Sequence, residues 1–126
     1  MRIGSVVIDC SDFDKMAAFW REALQYVPKR PADHGWVILA DPTGTSPNVS
    51  LNLKDRPMMH SKDSGWRLSD KIRLHVDFYS RDQQADVERL LKLGASIVKP
   101  AEEGHDYAIL ADPEGNHFCV VQTNLP

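Results

Sequence analysis

The chain says one phrase twice. "ILADPTG" fills 38–44 and "ILADPEG" fills 109–115, and six of the seven positions are identical. Each copy carries Asp-Pro-x-Gly, the signature of a type I turn closed by a left-handed Gly, which joins two antiparallel strands. The flanks agree. "WVILA" (36–40) and "DYAILA" (106–111) precede the turns, and "NVSLNLK" (48–54) and "HFCVVQT" (117–123) follow them. All four are β-branched or aromatic enough to read as strands.

The likeness continues upstream. "IGSVVIDCSD" (3–12) and "IRLHVDFYSRD" (72–82) both end in an Asp placed to cap a helix. After Asp12, Met16, Phe19, Trp20 and Leu24 share one helical face. After Asp82, Val87, Leu90 and Leu91 do the same, with Gly94 as C-cap. Each half reads strand, helix, short irregular strand, hairpin: βαβββ, twice. The expected layout is one domain over 1–126, with module 1–54, a polar linker 55–70 and module 71–126. The predicted class is α+β. One module buries one sheet face under its helix and leaves the other bare. Two modules together form a curved mixed sheet whose open face is a cup, a natural ligand site.

Alternation assigns side chains to that cup. The row Ile3, Ser5, Val7 and Asp9 faces one way, as does Arg73, His75, Asp77 and Tyr79. The apolar rows opposite them, Gly4/Val6/Ile8/Cys10 and Ile72/Leu74/Val76/Phe78, belong under the helices. The last strand of each half adds Ser50, Asn52 and Lys54, and Cys119 and Val121. A cup with two Asp, an Arg, a His and a Tyr needs pairing or a ligand. The bland alternative is an Arg73–Asp ion pair on a wetted sheet face. Trp36 and Tyr107 stand at matching places before the turns; they either stack on a flat ligand or cap the core, the commoner role. Met58, Met59 and Trp66 in the linker are apolar enough to form a lid. His34 and His60 read as solvated loop residues, and His117 shares a face with Cys119 at the cup rim.

These pieces together, above all "ADPEGNHFCV" (111–120), "RLHVDF" (73–78) and "DFDKMAAFW" (12–20), resemble the vicinal oxygen chelate superfamily. That group holds glyoxalase I, bleomycin-resistance proteins and extradiol dioxygenases, and together the pieces look like its glyoxalase-like subgroup. The resemblance implies the glyoxalase/bleomycin-resistance/dihydroxybiphenyl-dioxygenase fold and a homodimer. It also implies four metal positions, on the first and last strand of each module. Here they fall on Ser5, a residue near Ser50, His75 and Cys119, and only His75 fits the usual pattern. One His and one Cys fall short of three strong ligands. No metal or other cofactor is therefore expected. If a divalent metal is present, His75 would hold it with Asp9, Asp77 or Cys119, each Asp being roughly 6–7 Å along a shared strand face from its neighbour.

Other classes are thinly supported. The net charge is −3 with acids and bases interspersed, which argues against nucleic-acid and membrane partners. No apolar run approaches a membrane span, and two cysteines make no disulfide framework, so the cytoplasm is the expected location. There is no phosphate loop or nucleophile elbow. The leading expectation is a protein that binds a small polar or aromatic molecule through Asp9, Asn52, Arg73, His75, Asp77, Tyr79, Cys119 and Trp36. The alternative is a divalent-metal-dependent lyase, isomerase or dioxygenase, with His75 as the catalytic residue. A third reading is an interaction module with a vestigial cup.

Overall fold

A carboxylate opens each helix. In the computed structural model, which describes residues 1–54 and 74–124, Asp12 Oδ1 accepts from Lys15 N at 3.3 Å. Asp82 Oδ1 accepts from Ala85 N at 3.1 Å. These caps satisfy backbone N–H groups that have no partner in the first turn. They start α1 (Phe13–Leu24) and α2 (Gln83–Lys92). Gly94, at φ 111°, ends the second helix where a residue with a Cβ would be strained.

The strands are β1 (Arg2–Cys10), β2 (Val27–Pro28), β3 (Trp36–Ala40) and β4 (Asn48–Leu53), then β5 (Leu74–Ser80), β6 (Ser96–Lys99), β7 (Tyr107–Ala111) and β8 (His117–Gln122). They form one eight-stranded sheet in the order β2-β3-β4-β1-β5-β8-β7-β6. In each module the first strand pairs parallel with the last (β1 with β4, β5 with β8), and hairpins carry the sheet outward. Both Asp-Pro-x-Gly turns form as expected. Gly44 N donates to Asp41 O and Gly115 N to Asp112 O, each at 2.9 Å, with Gly φ of 71° and 90°.

The modules join through an antiparallel β1/β5 pair, so the cup closes within one chain. The linker 55–70, with Met58, Met59 and Trp66, expected to form a lid, and with His60, lies outside the described residues. Each module keeps its own core on the helix side. In the first, Cys10, Val37, Leu39 and Leu51 pack with Phe13, Met16, Ala17 and Trp20. In the second, Ala108, Leu110 and Val120 pack with Val87, Leu90 and Phe118. Phe19 corrects the helical stripe. It is exposed, with its ring edge-on to Trp20, because it sits off the line of Phe13, Met16 and Trp20.

A second correction lies in β1. The register against β5 slips between Ile3 and Ser5, so Ile3 pairs with Phe78 on the helix side and Arg2 pairs with Tyr79 on the cup side. Strict alternation puts Ile3 in the cup; the irregularity turns it out. Gly4 sits at the slip, and the Tyr79 ring lies directly over it. A Cβ there would stand 2.2 Å from Tyr79 Cδ1, so this close approach requires glycine.

Candidate functional site

The cup holds a cavity of about 480 Å³. One wall comes from the first module and carries Trp36, Ile38 and Asn52, joined by Lys29, Arg30, Asp33 and His34. The other comes from the second module and carries His75, Asp77, Tyr79, Asp106, Tyr107 and Cys119.

Three side chains of the second wall form a linked group. Asp77 and Cys119 are register partners across the parallel β5/β8 pair, so their side chains stand together on the cup face. The Cys119 thiol donates to the Asp77 carboxylate, and burial together with that nearby negative charge pushes its pKa well above the usual thiol range. His75 lies two residues along the same strand face, with Nε2 3.3 Å from Asp77 Oδ1. Its side chain is only 8% exposed, and Nδ1 has no hydrogen-bond partner among the described residues. Asp77 thus lies beside both the Cys119 thiol and the His75 imidazole. The potential ligand atoms of His75, Asp77 and Cys119 all lie within 4.8 Å of one another.

Tyr79 is held from three sides. Its ring rests on Gly4, the Arg2 guanidinium lies 5.3 Å from the ring centroid, and its hydroxyl accepts from Asn48 Nδ2 at 3.4 Å. Burial raises the pKa of this phenol. Asp106 is fixed through its backbone: its carbonyl accepts from Gln122 N at 2.7 Å and from Gln83 Nε2 at 3.0 Å. Desolvation, with the charge of Asp77 nearby, raises the Asp106 pKa.

The matching positions of the first module are different. Ser5 and Ser50 are fully buried and closed on each other by a 2.6 Å hydrogen bond between their hydroxyls. Neither is among the residues lining the cavity. The four positions that the resemblance assigns to a metal therefore offer two mutually satisfied hydroxyls, one imidazole and one protonated thiol. That donor set does not fit the four-ligand metal site, which needs deprotonated strong ligands.

Of the residues expected in the cup, Trp36, Asn52, His75, Asp77, Tyr79 and Cys119 line the cavity. Trp36 and Tyr107 lie on opposite walls, though core packing is the commoner role for such residues. Asp9 is not in the lining; its carboxylate accepts from Asn52 Nδ2 at 2.9 Å and stands outside the His75 group. Arg73 lies outside the described residues. His117 lies outside the lining, while the solvated His34 pairs with Asp33 on the first wall.

Sequence reasoning missed Asp106, Lys29 and Arg30. The repeat held a signal for the first. The alignment continues four residues upstream of the turn phrase, with His34-Gly35-Trp36-Val37 against His105-Asp106-Tyr107-Ala108. An acid thus replaces a glycine at the cup edge. The flanking histidines also diverge, His34 being exposed and His105 stacked on Tyr107 with ring centroids 5.3 Å apart.

A family model described as "Glyoxalase-like domain" matches residues 5–121. No curated protein sequence matches significantly. Several solved structures share the fold. A structure from Legionella pneumophila described as NAD-dependent benzaldehyde dehydrogenase is 13% identical, with a TM-score of 0.66, covering 95% of this chain and 98% of its own. Streptomyces coelicolor methylmalonyl-CoA epimerase, bound to 2-nitronate-propionyl-CoA, is 18% identical, with a TM-score of 0.61 and 99% of each chain covered. A glyoxalase/bleomycin resistance protein/dioxygenase superfamily member from Vibrio splendidus 12B01 is 13% identical, with a TM-score of 0.60, covering 97% and 98%. At these identities the likeness speaks for the fold.

Proposed function

This chain belongs to the glyoxalase-like domain family, and from that premise we propose that it binds a small, flat, polar molecule in the cup, without the four-ligand metal site. The observation that carries this reading is the pairing of Trp36 and Tyr107 on opposite walls of one cavity whose floor carries His75, Asp77 and Cys119. Trp36 and Tyr107, the latter already stacked on His105, supply aromatic area, and the polar groups supply orientation. Cys119 is held protonated, which favours a hydrogen-bonding role over a nucleophilic one. Binding takes place in the cytoplasm in this reading, and the second copy of a homodimer is not needed to complete the cavity.

The test is a panel of planar polar fragments, read by amide and indole NMR shifts. Binding should move the Trp36 indole signal and the Tyr107 and Cys119 amides together. Trp36→Ala and Tyr107→Ala should each weaken it about tenfold. Fragments that shift none of these signals would end the proposal.

A second reading has one observation in its favour: the mutual proximity of His75, Asp77 and Cys119. Those three would hold a thiophilic divalent ion such as Zn²⁺, as in a nonstandard lyase, isomerase or dioxygenase. Binding would require Cys119 to lose its proton against burial. Adding Co²⁺ tests this. A thiolate-to-metal charge-transfer band that disappears in Cys119→Ser would establish the ion; its absence supports the metal-free reading.

A further inference from the structure

The cavity walls are sorted by charge. The first-module wall carries Lys29 and Arg30, and the second-module wall carries Asp77 and Asp106. The two sets do not neutralise each other. Among the described residues, no ion pair joins Lys29 or Arg30 to Asp77 or Asp106. Asp33, the acid on the first wall, is paired with His34. Asp77 lies beside His75 and Cys119, while among the described residues no ion pair holds the Asp106 carboxylate, which has the charge of His105 nearby. The charged groups of the second wall are the carboxylates of Asp77 and Asp106, and no Lys or Arg lines it among the described residues. The Asp carboxylates accept, and Nδ1 of His75, in a side chain 8% exposed, has no hydrogen-bond partner among the described residues. The first wall offers donors from its ammonium and guanidinium groups.

Charges held apart across a cavity select a ligand polarised the opposite way, because each end then meets complementary potential. The rings of Trp36 and Tyr107 also line the cavity and favour a flat body. Resting on the cup-binding reading above, we infer that the ligand is a small planar zwitterion. A cationic nitrogen group such as an ammonium or amidinium lies against Asp77 and Asp106. An anionic carboxylate lies against Lys29 and Arg30.

Four probes of one shape separate the contributions: 4-amidinobenzoate (zwitterion), benzamidine (cation), benzoate (anion) and benzamide (neutral). Affinity is read from the Trp36 indole signal. The zwitterion should bind about tenfold more tightly than either single-charge probe, which is the effect of one added charge-assisted hydrogen bond. Asp106→Asn should weaken 4-amidinobenzoate and benzamidine about tenfold and leave benzoate alone. Lys29→Ala with Arg30→Ala should weaken 4-amidinobenzoate and benzoate and leave benzamidine alone. Asp106 suits the test because its backbone makes the structural contacts, and an unchanged Tm shows that the variant is folded. Equal affinity for all four probes would overturn the zwitterion while leaving the cup as a binding site. No shift of Trp36 with any probe would remove both.

Discussion

The two modules share a scaffold and differ in what they put at its centre. At the matching positions of β1 and β5 stand Ser5 and His75; near the middle of β4 and β8 stand Ser50 and Cys119. In the first module the pair is buried and closed on itself. In the second it is tied to Asp77 on the floor of a cavity. The surrounding machinery is held in common: capped helix, Asp-Pro-x-Gly hairpin, separate helix-side core. The repeated scaffold carries the architecture, and the polar chemistry is concentrated on one side. The first module retains a wall function, contributing Trp36, Lys29 and Arg30.

The sharpest way to break this comparison is to attack the shared scaffold in both places. Leu39 and Leu110 hold matching positions and are 1% and 0% exposed. Each Leu→Ala variant should lose about 3 kcal/mol in denaturant unfolding, with the two values within about 1 kcal/mol of each other. A large loss at one and almost none at the other would show that the cores are not equivalent.

The next effect is smaller and specific to the first module. Ser5→Ala or Ser50→Ala strands a buried hydroxyl and should cost about 1–2 kcal/mol. The double variant removes both partners and should cost less than the two singles combined. Additive losses would contradict the closed pair. None of the three variants should alter probe binding at Trp36.

The smallest effect separates the two turns. Asp41 accepts from Thr43 N, Thr43 Oγ1, Thr45 Oγ1 and Ser46 N, and these bonds bring its pKa down to about 2. Asp112 is also lowered, by the side chain and backbone of Asn116 and the backbone of Glu114. Because the folded pKa lies below the unfolded one, the contribution of Asp41 is present above pH 3.8 and is lost as pH falls toward about 2. Carboxyl NMR titration should show both groups below the ordinary value. Thr43→Ala should raise Asp41 alone, and an unmoved Asp41 would refute the turn network.

The repeat made the scaffold legible. Turn glycines, capping aspartates and the order of elements along the chain follow from local chemistry that a sequence displays directly, whereas the β1/β5 junction does not. The site was half legible. Alternation put His75, Asp77, Tyr79 and Cys119 on one face, but it assumes unbroken register. The slip at Gly4 moved Ile3 out and brought Arg2 in, and only the packing of Tyr79 on Gly4 explains it. Nor does a face assignment distinguish a cavity wall from a sealed floor. Ser5 and Ser50 point the right way and still do not line the cavity, and Asp9 is held by Asn52. Asp106 lies just outside a strand, where alternation says nothing.

The central claim is that one chain gathers both aromatic walls around a single ligand. The direct measurement is an isotope-filtered NOESY of the labelled protein with unlabelled 4-amidinobenzoate. One bound probe should show contacts to both the Trp36 indole and the Tyr107 ring. Contacts to only one of these rings would contradict the shared cup.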